Sequence, residues 1–354
     1  MRILFVAPGY PPDIGGIESV VQQLSIEMSE NGNQVYVLAA SRSGFGVQKI
    51  SKNLTVERLR SISPNNSYHL PIGLGRRLRA LREEYDLVHA HGYHSFPALV
   101  SFLYRGNTPF FISCHYHRYS HKAFRNFLLK PYKTIASKMV NRSHCVFCVS
   151  GAEKSLVEED FKPKSCKVIH NGVAYPEKII DGSKNENRIV MIGRLEKYKN
   201  QEVAIRFLKK NNEYKLDLVG DGPDFQRLRK IVRNEELGDR VVFHGRVSEK
   251  DKNRIISRCS ALLTLSEHES FGLVILEALS MGKPVMASDI PSHREIFEEV
   301  GDGVILVDQN NIEEIILKMH DIESYQGNVE NEKIEKFRWG RIAEDYLRAY
   351  NEIL

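Results

Sequence analysis

The sequence predicts an α/β protein built as two Rossmann-like units, and three observations predict it. A chain of 354 residues with 42% hydrophobic content is long enough to bury two separate cores. Short apolar runs bounded by glycine and polar turns alternate along it with segments of helical period, the pattern of parallel sheets covered by helices. A polar stretch from Pro176 to Asn187, carrying Asp181-Gly182-Ser183, breaks the alternation near the middle and reads as a linker.

Arg2 to Ala7 is the first strand. The loop after it ends in Gly15-Gly16, ahead of a helix from Ile17 to about Glu30. The glycine pair either admits a ligand close to the backbone or makes a tight turn; the GxGxxG dinucleotide fingerprint is absent. Gln34 to Ala40 is a second strand, and Gly73 to Glu84 a helix crowded with Arg76, Arg77, Arg79 and Arg82. Two further strands, Asp86 to Ala90 and Pro109 to Cys114, finish in histidines: His89 within the first and His91 just after it, His115 and His117 after the second. Ligands of open α/β sheets bind at the carboxyl ends of strands, so these histidines are candidates for contacts to a substrate. They also suit hydrogen-bonded core positions. A metal site needs three or four ligands, and no Asp, Glu or Cys recurs at ligand spacing in these turns.

Lys122 to Arg142 has helical period. Phe124, Phe127, Leu128, Tyr132, Ile135 and Met139 lie near one face, and six Lys or Arg surround it. That is a buried stripe with a solvated rim, or a face for anionic lipid. Cys145 to Val149 is a strand, a helix follows from Ala152, and Lys167 to His170 closes the first sheet.

The second unit opens with the strand Arg188 to Ile192, then Gly193-Arg194-Leu195, Lys199 and a helix from Asn200. An Arg and a Lys between strand and helix suit a diphosphate, the guanidinium forking two oxygens and the ammonium acting as a point charge; they equally suit a solvated surface. Strands at Lys215 to Val219 and Arg240 to His244 run into the turns Gly220-Asp221-Gly222-Pro223 and Gly245-Arg246-Val247. Ala261 to Leu265 is an apolar strand, followed by a polar turn and a helix whose first turn is read as Phe271-Gly272-Leu273-Val274. Such a helix start offers unpaired N–H groups and the positive end of the macrodipole to an anion. Glu269 and Glu277 frame it. Laid along a helix, their offset spans roughly 12 Å, the scale of a sugar joined through a diphosphate to a ribose. Pro284 to Ala287 and Val304 to Val307 are the last strands. Ser292 opens a short helix, and Ile334 to Leu354 is a final helix with Trp339, Ile342, Tyr346 and Tyr350 on one face.

The five cysteines are an odd number, and Cys145 and Cys148 fall on opposite faces of one strand, so neither zinc nor a redox pair is indicated. The net charge of +5 is uneven. Residues 1–175 carry 22 Lys+Arg against 12 Asp+Glu, and the remainder 28 against 33. The basic half suggests an anionic partner, whether a membrane surface, a phosphorylated acceptor or nucleic acid. No apolar run is long enough to span a bilayer or serve as a signal peptide, so a cytoplasmic protein is expected, peripheral on the membrane if the lipid reading holds.

Two acids separated by seven residues, with Phe271-Gly272 between them, resemble the paired-glutamate motif of retaining glycosyltransferases with the GT-B fold, most closely family 4. Further motifs resemble the family in the same order. They are Gly15, Gly16 and Glu18 as Gly-Gly-x-Glu, His115 as the strand-end histidine with His117 as its fallback, Gly193-Arg194-Leu195 with Lys199, and the turn at Gly220. Asn171-Gly172-Val173 matches the family's hinge, but Ala174 replaces its acid, so no role of that carboxylate carries over.

The resemblance implies two Rossmann-like domains facing across a cleft. Residues 1–175 with about 335–354 would bind the acceptor, residues 176–334 the nucleotide sugar, and the last helix would cross back to the first domain. It implies hexosyl transfer with retention, from a UDP- or GDP-sugar to a hydroxyl of a lipid-linked sugar, glycolipid or polysaccharide precursor. It assigns His115, Arg194, Lys199 and Glu269 to catalysis, and Glu277 to the ribose. Gly15, Gly16, Gly193, Gly220, Val247, Phe271, Gly272, Leu273 and Val274 would contact the donor through backbone or packing. No metal and no cofactor beyond the donor is expected, because Arg194, Lys199 and the helix start would take the charge of the departing diphosphate. The rival readings are a nucleotide-sugar epimerase of the same fold, a transferase with a small soluble acceptor, a phosphorylase, for which no pyridoxal lysine is evident, and a nucleic-acid-binding protein, for which aromatic stacking motifs are missing.

Overall fold

Ile3 to Ala7 are all apolar and wholly buried, which a strand manages only in the middle of a sheet covered on both faces. In the computed structural model, which describes residues 1–13, 15–41, 44–62, 69–116, 132, 134–175, 187–301, 303–324 and 331–354, that strand is β1 (Arg2–Ala7). It pairs in parallel with β2 (Gln34–Ser41) on one side and β6 (Leu87–His91) on the other, so that Phe5 stands between Val37 and His89.

The sheet extends through β4 (Leu54–Ile62) to the edge strand β3 (Gly46–Lys49), with the short β5 (Leu70–Pro71) also on β4. On the other side it continues through β7 (Phe110–Ser113), β8 (Cys145–Cys148) and β9 (Cys166–Val168). Only β3 and β5 run antiparallel to their neighbour. This sheet belongs to a compact unit of Met1–Gly172 with Trp339–Leu354. The chain returns to it at Trp339 rather than near residue 335. The returning helix, Trp339–Ile353, buries the expected Trp339, Ile342, Tyr346 and Tyr350 and lies against the helix Gly16–Glu30.

The second unit, Val173–Arg338, holds a six-stranded parallel sheet in the order β12-β11-β10-β13-β14-β15. Its strands are β10 (Arg188–Ile192), β11 (Lys215–Val219), β12 (Val241–Gly245), β13 (Ala261–Thr264), β14 (Val285–Ser288) and β15 (Val304–Val307). Ile189, Leu216, Leu218 and Leu263 lead an apolar core on this sheet. The order steps outward from β10 in both directions, so the loops after β10 and β13 diverge and leave a crevice at the strands' carboxyl ends.

Several expectations are corrected. The strand expected to end at Ala90 runs one residue further, so His91 as well as His89 lies within β6, wholly buried. His89 is a core residue: Nδ1 meets Tyr350 Oη at 2.6 Å and Nε2 meets Ser113 Oγ at 2.9 Å. The helix read at 73–84 runs Leu74–Leu81 and tightens to a 3₁₀ turn at Arg82–Glu84. The final helix is two, Asn331–Glu335 and Trp339–Ile353. Strands β3 to β5 are additions to the expected sheet: Gly46–Lys49 is exposed throughout and lacks an apolar side, β5 is only two residues long, and the alternating buried Leu54 and Val56 of β4 are a signal the sequence reading passed over. Most of the helix expected over 122–142 lies outside the described residues, as do His117 and the linker at 176–186. Residues 134–141 are helical, and Ala136, Met139 and Val140 are buried there.

Candidate functional site

The loops after β10 and β13 are tied together by backbone and side chain. Glu267 N–H donates to Tyr198 O at 2.8 Å, and Asn200 Nδ2 to Leu265 O at 3.0 Å. Asn200 adopts a left-handed conformation that lets it turn the chain into the helix Gln201–Lys210. The loop after β11 closes against the same place. A Cβ on Gly220, at φ 133°, would stand 1.9 Å from Gly193 O, so only glycine permits this approach.

On this scaffold Lys199 Nζ donates to Glu269 Oε1, with side chains only 16% and 20% exposed. Ser266 Oγ donates to the same oxygen at 2.8 Å. Ser266 O accepts from Ser288 Oγ at 2.6 Å, and Ser288 O receives His293 Nδ1 at 3.0 Å. One hydrogen-bonded line therefore runs from Glu269 through two serines to His293. Burial works against ionisation of Glu269, yet the Lys199 ammonium and both hydrogen bonds together hold its carboxyl below the usual range. It is a carboxylate at neutral pH. Removing one partner of such a pair costs about 3–5 kcal/mol, because the other charge is left buried.

Glu269 does not stand on the helix. The helix is Leu273–Ser280, with Gly272 as its N-cap at φ 106°, so the 12 Å helical ladder between the two acids does not apply, and Phe271 precedes the first turn and is buried near Phe337. Gly272 offers no side chain to cap the helix. Leu273 and Val274 form its first turn, where backbone N–H groups have no partner within the helix.

Glu277 lies on this helix. Its Oε1 accepts from Lys252 Nζ at 2.9 Å, Lys252 also holding Glu249, while its Oε2 is buried with no hydrogen-bond partner. Burial pushes the Glu277 carboxyl up, partly offset by Lys252. Gln201 Oε1 is likewise buried without a partner, its Nε2 donating to Arg194 O at 2.9 Å. Buried polar atoms are seldom left unpaired, so both oxygens are candidates to accept from a bound molecule.

Arg194 departs from expectation. Its guanidinium is 68% exposed and pairs with Glu196 at 2.7 Å. Gly193, at φ 147°, lies against Lys199, and Val247 sits half-buried in the loop between β12 and the helix Glu249–Arg258 that carries Lys252.

In the first unit His115 follows β7 with its backbone in the left-handed region at φ 47°, and its ring stacks on that of His91 at 5.9 Å. Gly15 precedes the helix Gly16–Glu30, and a Cβ on it would stand 2.1 Å from Glu18 Oε2. Beside His115 stands an acid the sequence reading passed over. Glu153 is 2% exposed; Oε1 accepts from Tyr116 N–H at 2.5 Å and Oε2 from Val149 N–H at 2.7 Å. Burial pushes its carboxyl up to about 7. The other residues passed over are Lys252, Gln201, Ser288 and His293. Their signal was position: Ser288 ends β14, and His293 opens the helix Pro291–Val300 behind it.

Comparison with known proteins bears on the family and the fold. The description "Glycosyltransferase Family 4" matches residues 14–175, and "Glycosyl transferases group 1" matches residues 177–338. N-acetyl-alpha-D-glucosaminyl L-malate synthase of Bacillus anthracis is 33% identical over 184 residues, which is 49% of this chain and only about half, 47%, of that relative. GDP-mannose:cellobiosyl-diphosphopolyprenol alpha-mannosyltransferase of Xanthomonas oryzae is 24% identical over 380 residues, 100% of this chain and 97% of the relative. Among solved structures, sucrose-phosphate synthase of Thermosynechococcus elongatus superposes with a TM-score of 0.82 at 20% identity, covering 99% of this chain and 98% of that one. Anabaena HepE in complex with UDP-glucose gives 0.78 at 21% identity, covering 99% and 100%. With two family descriptions that together span residues 14–338 and a GT-B fold, the chain belongs to the family 4 glycosyltransferases and is a glycosyltransferase.

Proposed function

We propose that the protein transfers a hexosyl unit, with retention of configuration, from a nucleoside-diphosphate sugar held by the second unit to a hydroxyl acceptor, a lipid-linked sugar or glycolipid. The observation that carries the reading is the group at the strand ends of β10 and β13: an ionised Glu269 paired with Lys199, and Glu277 with one buried oxygen unpaired.

The chemistry follows from what each group can do. Departure of the nucleoside diphosphate builds negative charge on its oxygens. An ammonium has three N–H donors, and Glu269 takes one of Lys199's, leaving donors for a phosphate. The start of the helix Leu273–Ser280 adds its first-turn N–H groups and dipole, and Arg194, exposed, is placed to swing from Glu196 to the same anion. These charges do the work a divalent cation does elsewhere, so the reaction is read as metal-independent. Glu269 accepts hydrogen bonds from sugar hydroxyls, and Glu277 Oε2 from the ribose. With no nucleophile evident, the departing phosphate takes the proton of the incoming hydroxyl as the new bond forms on the same face. His115 is assigned to the sugar and its acceptor.

The acceptor class draws on relatives. The Xanthomonas enzyme is named for a cellobiosyl-diphosphopolyprenol acceptor, and alpha-monoglucosyldiacylglycerol synthase of Streptococcus pneumoniae is 22% identical over 344 residues. The basic charge of residues 1–175 suits a peripheral position on an anionic membrane, and no helix among the described residues is long and apolar enough to cross one. The test is a screen of UDP- and GDP-hexoses for nucleotide release, with a membrane extract as acceptor source and the product weighed by mass spectrometry. Acceptor-dependent release with a hexose added to a lipid is expected. Consumption of donor to an isomeric nucleotide sugar without acceptor would replace this reading with an epimerase.

A further inference from the structure

His293 is wholly buried at the opening of the helix Pro291–Val300. Ser288 Oγ spends its one proton on Ser266 O at 2.6 Å, so near His293 Nδ1 the serine presents only acceptors, its carbonyl at 3.0 Å and its hydroxyl oxygen at 3.3 Å. Nδ1 must therefore carry the hydrogen. Burial lowers the basicity of the ring, so it is neutral, and Nε2 keeps a lone pair. That nitrogen is buried with no hydrogen-bond partner.

The ring edge bearing this lone pair faces the mouth of the candidate site. A Cβ on Gly272 would stand 3.1 Å from His293 Cδ2 and 3.3 Å from Nε2. No side chain therefore separates the imidazole from the turn that joins Glu269 to the helix start. Ionised Glu269 is near enough for its charge to act on the ring. A neutral acceptor in this position suits a hydroxyl, whereas a phosphate oxygen, itself an acceptor, gains nothing from it.

Resting on the donor reading above, we infer that His293 Nε2 accepts a hydrogen bond from a hydroxyl of the transferred hexose, neighbouring those held by Glu269, and so helps select the sugar. Nε2 is buried, so for a sugar hydroxyl to reach it the irregular turn Glu267–Gly272 has to shift. Gly272, at φ 106° and without a side chain, is the point at which it yields.

Two variants separate this role from plain packing. His293→Asn keeps an N–H for Ser288 O and removes the Nε2 acceptor; His293→Gln carries an amide oxygen out to the position of Nε2. The probes are UDP and GDP, their glucose, galactose, N-acetylglucosamine and mannose derivatives, and the monodeoxy analogues of whichever hexose the native protein binds, all titrated calorimetrically. The Asn variant is expected to bind the bare nucleotide within about twofold of native and the nucleotide sugar about three- to tenfold more weakly, the loss of one neutral hydrogen bond. The Gln variant should recover part of that loss. Removing one particular sugar hydroxyl should weaken the native protein but leave the Asn variant unchanged. Equal weakening for nucleotide and nucleotide sugar, or no deoxy analogue whose penalty disappears in the Asn variant, would overturn the inference. Failure of the native protein to bind any nucleotide or nucleotide sugar would instead remove the donor reading beneath it, a failure visible before any variant is made.

Discussion

Glu153 in the first unit is buried and Glu277 in the second partly buried, each on the helix that follows a parallel strand, and burial raises the carboxyl of each. Their partners differ. Glu153 has both oxygens filled by backbone N–H groups, from Tyr116 and Val149, and so staples the turn after β7 to the end of β8. Glu277 has one oxygen on Lys252 and the other on nothing. A buried acid whose hydrogen bonds close within the protein is part of the scaffold, whereas one left with an unpaired oxygen has acceptor capacity to offer, which the proposed function gives to the ribose.

That contrast can be broken by substitution. Glu269→Ala should give the largest effect, a fall in kcat of about a hundredfold or more with the fold retained but the unfolding midpoint lowered, since it removes a charge assigned to the reacting sugar and leaves the Lys199 ammonium unpaired; normal turnover would remove Glu269 from the site. Glu277→Ala should weaken nucleotide binding by roughly tenfold or more, at a smaller stability cost than Glu153→Ala because Lys252 keeps Glu249, measured by titration and chemical denaturation. Glu153→Ala should do the reverse, costing about 2–4 kcal/mol in denaturation by orphaning two N–H groups. If the two variants behave alike, the contrast is void.

The smallest effect is in pH dependence. The Glu153 carboxyl rises from 4.5 to about 7 in the folded protein, so the folded state binds the proton more tightly than the unfolded one. Its contribution is therefore fully present below about pH 4.5 and lost as pH rises through about 7. Glu153→Gln, which does not titrate, should show a shallower fall in stability between pH 5 and pH 8, by on the order of 2 kcal/mol. Equal slopes would contradict it.

Much of this was legible in the sequence because it is written in local chemistry. Strand β1, the glycines at 193, 220 and 272 and the acids at 269 and 277 each announce themselves through apolar runs, turn residues or spacing. What escaped was tertiary. Nothing in the period of residues 86–91 says that His89 meets Tyr350, which is supplied by the chain's last helix. Nor does spacing reveal that Arg194 turns to Glu196, that Lys252 reaches Glu277, or that Ser288 fixes the proton of His293. Helix start and acid spacing were read together as one ladder, although Gly272 breaks the chain between them.

The account turns on a nucleotide whose ribose lies at Glu277, and a cycle of two nucleotides and two proteins tests it most directly. Titration of native protein and Glu277→Ala with the preferred ribonucleoside diphosphate and its 2′,3′-dideoxy form should show the native protein favouring the ribose by about tenfold and the variant indifferent to it. The same ribose preference in both proteins, or none in the native one, would contradict the assignment.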